Sequence, residues 1–163
     1  MIHLRVDTVK LPNGEEATRE VVEHPGAVAL IAVNQKDEMV FVKQFRQPVG
    51  EELIEIPAGK LQEGEDPMEC ALRELEEETG YTAGRIELIS VYYTTPGFSD
   101  EKMYLYLATK LYDGEMKPDD DEFLEVVCIP PEKAREMVLR GELRDAKTMI
   151  GVLALCDRLG IKG

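Results

Sequence analysis

Basic residues are scarce in this sequence. Lysine and arginine together number 19 against 33 aspartates and glutamates, which leaves a formal net charge of −14. Sequence-independent binding to nucleic acid requires basic side chains that neutralise phosphates, so the composition argues against that function. The same charge repels a free anionic nucleotide. A small phosphate-bearing substrate would therefore need metal ions and a local basic group in order to bind.

Cysteines and long apolar runs are also few. Cys70, Cys128 and Cys156 are odd in number and lack the spacing of a metal site. We expect buried free thiols in a reducing compartment, with redox activity as the alternative. Arg5 and Asp7 interrupt the start of the chain, so it does not resemble a signal peptide, and no apolar run is long enough to cross a bilayer. We expect a cytoplasmic protein that does not bind membranes.

The sequence predicts one domain that mixes strands and helices. Its 163 residues suffice for a single core and contain no repeat or linker. Ala27–Val33 is an apolar run typical of a buried central strand, and the first 24 residues predict a hairpin with a turn at Pro12-Asn13-Gly14. One internal helix, a strand from Arg85 to Thr95 after it, and two helices after residue 130 are expected. This order predicts an α/β fold of the α+β type, with helices on both faces of a mixed sheet.

The internal helix is predicted within residues 59–81, GKLQEGEDPMECALRELEEETGY. Asp66 is a favourable N-cap, and Pro67 suits the first helical position. Gly80 supplies the left-handed residue that commonly ends a helix. At about 100° per residue, one side of this helix is apolar and is expected to face the core through Met68, Leu72 and Leu75.

A second side of the same helix carries Glu74, Glu77 and Glu78. Carboxylates at these spacings repel each other unless a cation lies among them. Glutamate oxygens suit a hard divalent ion, and Mg²⁺ is typically held by carboxylates together with substrate phosphates. A solvated acidic face is the alternative, but Arg73 stands beside the cluster, where it could orient a carboxylate.

The pattern of this segment resembles the signature of Nudix hydrolases, G-x5-E-x7-R-E-U-x-E-E-x-G-U. The chain matches it in full with Gly59, Glu65, Arg73, Glu74, Leu75, Glu77, Glu78, Gly80 and Tyr81. The resemblance implies an α/β/α sandwich that hydrolyses a nucleoside diphosphate linked to another moiety. It also implies Mg²⁺ or Mn²⁺ as cofactor. The implied metal ligands are the Ala58 carbonyl and the carboxylates of Glu74, Glu77 and Glu78, with Glu77 and Arg73 in catalytic roles.

Further segments are similar to ADP-ribose pyrophosphatases, from about residue 5 to 130. They are LPNGEEATREVVEHPGAVAL, QFRQP and the proline at position 96. The implied reaction converts ADP-ribose and water to AMP and ribose 5-phosphate. Members are typically homodimers that exchange N-terminal strands across the interface. From its residues alone, the hairpin could cover its own core or pair with another subunit. The resemblance favours a dimerisation element in residues 1–24, with residues 25–163 as the catalytic unit.

The subfamily resemblance places the general base on a loop before a late strand. Glu122 is preferred by its position in DEFLEVV, while Glu125, Asp121 and an exposed structural role for Glu122 stay open. Arg46, Pro96 and Glu101 are expected to contact the substrate. The Arg46 guanidinium can grip phosphate oxygens in pairs, or else form a surface ion pair. His24 is expected to be structural or solvated.

Three other functions stay open. The first is hydrolysis of another nucleotide sugar such as GDP-mannose, by the same glutamates. The second is a Nudix domain that senses ADP-ribose without cleaving it. The third is a plain interaction module. The full glutamate set and the lack of a basic segment after the last strand favour the enzyme over the last two.

Overall fold

A computed structural model describes residues 2–117 and 123–162. An N-terminal hairpin is followed by strands, one internal helix, two further strands, and, after residue 122, a last strand and two helices. The bounds are β1 (His3–Lys10), β2 (Glu16–Glu23), β3 (Ala27–Val33), β4 (Met39–Arg46), β5 (Glu51–Glu55), β6 (Ala58–Lys60), α1 (Pro67–Thr79), β7 (Tyr81–Tyr93), β8 (Lys102–Asp113), β9 (Glu125–Ile129), α2 (Pro131–Leu139) and α3 (Ala146–Leu159).

A mixed sheet of 7 strands forms the centre of the described chain. Five strands run in the order β5-β4-β3-β8-β7, with β6 paired to β3 and β9 paired to β4. The pairing of β3 with β8 is parallel, and the other pairings are antiparallel. Because side chains alternate along a strand, β3 serves two cores. Ala29 and Ile31 face one core, while Val28 and Leu30 face the other.

The helices cover both faces of this sheet. Helix α1 packs Cys70, Ala71 and Leu75 against one face. Helices α2 and α3 cover the opposite face through Ala134, Val138, Val152 and Leu155. The predicted α/β/α sandwich with a mixed sheet and an N-terminal hairpin is therefore confirmed. Among the described residues, no helix has the length and apolar character needed to span a bilayer.

The N-terminal hairpin lies outside the main sheet. Strands β1 and β2 form a separate two-stranded sheet, paired from His3 opposite Glu23 to Lys10 opposite Glu16. Val22 in β2 joins the hairpin to the loop after β7. Its amide donates to the Phe98 carbonyl at 2.7 Å, and its carbonyl accepts from the Ser99 hydroxyl at 3.1 Å. Residues of β1 leave apolar side chains exposed at Leu4 and Val6.

Three local predictions were wrong. Met68 is 46% exposed, because the buried side of α1 is centred on Cys70, Ala71 and Leu75 instead. Cys128 is exposed, whereas Cys70 and Cys156 are buried free thiols as expected. The strand expected from Arg85 begins at Tyr81, because it pairs with β8 as far as Asp113.

Candidate active site

The ends of α1 form as the sequence predicts. The Asp66 carboxylate accepts hydrogen bonds from the amides of Met68 at 2.9 Å and Glu69 at 3.3 Å. Gly80 ends the helix with a φ of 70°, and its amide donates to the Glu76 carbonyl. These caps fix the start and the end of the helix. The glutamate side of α1 is therefore held in one orientation relative to the loop before it.

Arg73 connects three of the carboxylates in this segment. Its Nε and Nη2 donate to the two oxygens of Glu65 at 2.9 and 3.1 Å. Its Nη1 donates to Glu74 Oε1 at 2.9 Å and to Glu77 Oε2 at 2.8 Å. Hydrogen bonds from Arg73 are the largest cause that lowers the pKa of Glu65, to about 2. Glu65 is therefore charged at neutral pH, and Arg73 holds Glu74 and Glu77 in place.

Strand β6 brings the backbone of the loop against the same glutamates. The Ala58 amide donates to Glu78 Oε2 at 3.0 Å, and Glu78 is only 4% exposed. Gly59 follows in β6, where its missing side chain leaves room for the Glu74 carboxylate. Pairing of β6 with β3 fixes this backbone, since Gly59 lies opposite Val28. The oxygens predicted to bind metal therefore belong to a helix and a strand that contact each other.

These donors fit a hard divalent cation in their chemistry. Carboxylates from one helix side and a neighbouring backbone carbonyl are the oxygen ligands that Mg²⁺ prefers. Within residues 2–117 and 123–162, no three His, Cys, Asp or Glu side chains are grouped closely around one point. Arg73 instead draws Glu74 and Glu77 toward its guanidinium. The metal assignment of Ala58, Glu74, Glu77 and Glu78 stays a prediction.

A cavity of about 600 Å³ opens beside the glutamates. Ala58, Gly59, Arg73, Glu74 and Glu77 form the side that belongs to the signature segment. Other parts of the wall come from β4, the β7–β8 connection and the start of α3, and they include Arg46, Thr94, Glu101, Asp145 and Lys147. The volume lies in the range of small-molecule sites. The cavity therefore brings predicted metal ligands, Arg46 and Glu101 to one place.

Arg46 lines the cavity and also forms an ion pair. Its Nε and Nη2 donate to the two oxygens of Glu55 at 2.7 and 2.9 Å. Burial works to raise the pKa of Glu55, which is 2% exposed, but the Arg46 hydrogen bonds and the Lys147 charge outweigh it, so this pKa is lowered. Arg46 therefore forms an ion pair, although with a buried carboxylate and not with a surface one. Its side chain is still 37% exposed, and its contact with a phosphate stays a prediction.

The opposite part of the cavity wall contains Glu101 and two partners that the sequence did not indicate. The Thr94 hydroxyl donates to Glu101 Oε2, and His24 Nε2 lies 3.5 Å from Glu101 Oε1. The Gly26 amide donates to His24 Nδ1 at 3.1 Å, which leaves the proton of a neutral imidazole on Nε2. His24, expected to be structural or solvated, therefore lines the cavity and faces Glu101.

Three predicted residues do not line the described cavity. The predicted metal ligand Glu78 is buried beside the Ala58 amide instead. Pro96 is exposed in the connection after β7, next to the segment that bonds to the hairpin. Glu125 is exposed at the start of β9, opposite Lys43. Glu122 and Asp121, the other candidates for the general base, lie outside the described residues.

Lys147 and Glu55 were missed by sequence reasoning. Lys147 contacts Glu55 across 92 positions of the chain, and no local pattern marks such a pair. The only local signal is the N-cap Asp145, which places Lys147 in the first turn of α3. That turn is held beside the end of β5, because the Ile56 amide donates to the Thr148 hydroxyl at 2.9 Å.

Residues 23–150 match the NUDIX domain, and the chain belongs to this family. It is 49% identical over 154 residues to an ADP-ribose pyrophosphatase of Bacillus subtilis (strain 168), covering 93% of this chain and 83% of that protein. It is also 44% identical over 154 residues to a methanol dehydrogenase activator of Bacillus methanolicus, with the same 93% and 83% coverage.

The crystal structure of an ADP compounds hydrolase has the same fold. It superimposes with a TM-score of 0.86 at 19% identity, and the match covers 98% of this chain and 87% of that one. Both the Nudix resemblance and the similarity to ADP-ribose pyrophosphatases that the sequence suggested are confirmed.

Proposed function

We propose that this protein is a metal-dependent hydrolase that cleaves the pyrophosphate bond of ADP-ribose, giving AMP and ribose 5-phosphate. One observation carries the proposal. Arg73 holds Glu74 and Glu77 at the edge of a cavity large enough for a small nucleotide, in a chain 49% identical to an ADP-ribose pyrophosphatase. An anionic substrate entering so acidic a protein requires compensating cations, and the site offers ligands for them.

In this proposal Glu74, Glu77, Glu78 and the Ala58 carbonyl hold Mg²⁺ or Mn²⁺. The bound ion would supply neutralisation of phosphate charge and a more acidic water. The protein supplies the orientation of the ligands. Arg73 fixes Glu74 and Glu77, while the Ala58 amide fixes one oxygen of Glu78. Such outer contacts typically change metal affinity or activity by about 10- to 100-fold when they are removed.

The substrate is proposed to lie between Arg46 and Glu101. The Nε and Nη2 atoms of Arg46 bond to Glu55, which leaves its Nη1 as the donor for a phosphate oxygen. Glu101, fixed by Thr94 and facing His24, is suited to accept from sugar hydroxyls. Pro96 is proposed to contact the substrate as well, through the exposed connection after β7.

Water attack on phosphorus also needs a group that accepts the water proton. Glu122 is proposed for this role, on the basis of the subfamily resemblance and its place before β9. Asp121 and Glu125 are the alternatives.

Residues 1–24 are proposed to dimerise the catalytic unit of residues 25–163. Supporting this, β1 and β2 form a two-stranded sheet of their own, and Ile2, Leu4 and Val6 are 80%, 64% and 59% exposed. Static light scattering at micromolar concentration should give twice the mass of the 18.3 kDa chain. A monomer under these conditions would contradict the exchanged-strand arrangement.

A substrate panel tests the proposed reaction. ADP-ribose, ADP-glucose, GDP-mannose, NADH and a nucleoside triphosphate are incubated with the protein and Mg²⁺, and the nucleotide products are separated. We expect AMP to form fastest from ADP-ribose. Faster release of GMP from GDP-mannose would support the same hydrolytic reaction with GDP-mannose as the preferred substrate. Calorimetric binding of ADP-ribose without any turnover would instead establish a sensor.

A further inference from the structure

Four charged side chains form a connected cluster in the cavity wall: Arg46, Glu55, Asp145 and Lys147. Glu55 accepts from Arg46 through both oxygens and from the Lys147 ammonium through Oε2. Lys147 Nζ also lies 3.1 Å from Asp145 Oδ1. Arg46, Asp145 and Lys147 line the cavity, while Glu55 lies behind them and is 2% exposed. We refer to these four residues as the charge quartet.

The backbone around the charge quartet is fixed by Thr148, which joins α3 to the end of β5. The Thr148 hydroxyl donates to Asp145 Oδ2 at 2.6 Å and accepts from the Ile56 amide at 2.9 Å. Thr148 is fully buried, and its own amide donates to Asp145 Oδ2 at 2.9 Å. Lys147 and Glu55 are therefore set side by side by buried hydrogen bonds rather than by a mobile surface contact.

The charges of the quartet sum to zero, but its members differ in how exposed they are. Two cations face two carboxylates, so the sum is zero at neutral pH. Arg46 is the most exposed member at 37%, against 19% for Asp145 and 13% for Lys147. The positive charge of Arg46 is thus the one most accessible from the cavity. Without Lys147, two carboxylates would share one guanidinium, and the wall would carry a net negative charge.

That negative charge would lie close to the predicted metal ligands. The pKa of Arg46 is raised, first by hydrogen bonds with Glu55 against the opposing effect of burial, and further by the charges of Glu78 and Asp145. The positive charge of Arg46 therefore already interacts with the negative charge of Glu78 as well as with that of Glu55. An additional uncompensated carboxylate here would repel a diphosphate and draw Arg46 further into ion pairing.

We propose that Lys147 is a positioning residue for substrate binding, which neutralises the Glu55–Asp145 pair so that Arg46 can bind a phosphate group of the substrate. This role rests on the proposed function, because it requires an anionic substrate in the cavity. Lys147 acts through Arg46 and not by contact, since two carboxylates already hold its ammonium and its side chain is only 13% exposed.

The first test compares Lys147→Met with Lys147→Arg under steady-state conditions with ADP-ribose and Mg²⁺. We expect Lys147→Met to raise KM about tenfold or more while kcat stays within about threefold, because binding of an anion is weakened and chemistry is not. Lys147→Arg retains the charge and should keep KM near the wild-type value. Lys133→Met is the matched control, since Lys133 is 51% exposed on α2 and pairs only with Glu136 among the described residues.

Charge compensation separates this role from a merely structural one. Asp145→Asn preserves a favourable helix N-cap and removes one negative charge from the quartet. Added to Lys147→Met, it should recover most of the lost affinity, and alone it should lower KM. In an Arg46→Ala background, Lys147→Met should have little further effect on KM, because the two act on one phosphate contact.

An unchanged KM in folded Lys147→Met, or a double variant no better than Lys147→Met, would overturn the proposal. Fully additive effects of Lys147→Met and Arg46→Ala would also overturn it, in favour of direct contact by Lys147. Should Lys147→Met not fold, a KM for Asp145→Asn equal to or above the wild-type value would overturn it in the same way. Failure of the proposed function is recognised separately, by absence of wild-type turnover of ADP-ribose. In that case the same variants are assayed with whichever panel compound the wild-type protein hydrolyses or binds.

Discussion

The carboxylate of Glu74 occupies the space that a side chain at Gly59 would need. A Cβ atom built on Gly59 would lie 1.8 Å from Glu74 Cδ and 1.9 Å from its Oε1, far inside van der Waals contact. Gly59 is held in β6 by pairing with Val28, and Glu74 is held on α1 by Arg73. The absence of a side chain at Gly59 thus allows the Glu74 carboxylate to lie against the backbone, and both residues belong to the signature.

Gly59→Ala should therefore displace the Glu74 carboxylate. The clashing atoms are the far end of a flexible side chain, so the chain can fold while Glu74 swings away. We expect kcat/KM for ADP-ribose to fall about 10- to 100-fold, as for loss of a contact that orients a metal ligand. The thermal midpoint should change by only a few degrees. Wild-type activity in this variant would show that the position of Glu74 is not needed.

Arg73→Lys should impair the site although it conserves charge. A lysine ammonium is a point charge and cannot replace the planar guanidinium that bonds to Glu65, Glu74 and Glu77 together. We expect about a 10- to 100-fold loss of kcat/KM and a higher Mg²⁺ concentration for the half-maximal rate. Arg85→Lys is the control, at an arginine that is 64% exposed. Identical Mg²⁺ dependence in Arg73→Lys and wild type would refute the orienting role.

Glu65 should contribute stability that depends on pH. Its pKa is lowered to about 2, chiefly by hydrogen bonds from Arg73 and from the Gln62 amide. A glutamate in the unfolded chain titrates at roughly pH 4.3. The contribution is therefore fully present above that pH and is lost as the pH falls toward 2. Denaturant unfolding should show Glu65→Gln less stable than wild type at pH 7, with a gap that narrows below about pH 4.3. A gap that stays constant would contradict the pKa assignment.

Glu122→Gln should lower turnover by orders of magnitude while the fold survives. An amide cannot accept the proton of the attacking water, and removal of a general base typically costs about 10²- to 10⁴-fold. The rate of AMP release is compared with that of Asp121→Asn and Glu125→Gln, the neighbouring carboxylates that were the alternatives. Circular dichroism checks that each variant is folded. Near-normal turnover in Glu122→Gln together with loss in one of the others would move the base to that residue.

Much of this fold was predictable because its signals are local. Helix α1 begins after the N-cap Asp66, with Pro67 as its first residue, and it ends before Gly80, as these residues predicted. The apolar run Ala27–Val33 is a central strand as expected. The Met68 prediction failed because periodicity gives the angle between residues but not the angle at which a helix meets its sheet. The start of β7 was missed because pairing with β8 extends it.

The site residues were predictable where they belong to one contiguous motif. They were not predictable where residues far apart in the sequence come together. Arg73 and its glutamates lie within one helix and its preceding loop, so spacing alone groups them. Glu55 and Lys147 meet across 92 positions, and His24 meets Glu101 only through the arrangement of the β7–β8 connection. Such contacts follow from the topology of the sheet, which sequence periodicity does not specify.

The glutamates of α1 are proposed to bind the metal ions that hydrolysis requires. The most direct test is the rate of AMP release from ADP-ribose across a Mg²⁺ titration, for wild type, Glu77→Gln and Glu76→Gln. Glu76 is a neighbouring carboxylate outside the signature, and it accepts from the Glu115 amide. We predict metal-dependent release that falls by about 100-fold or more in Glu77→Gln and stays near wild type in Glu76→Gln. Equal rates in the two variants, or release of AMP that is independent of Mg²⁺, would contradict metal binding by these glutamates.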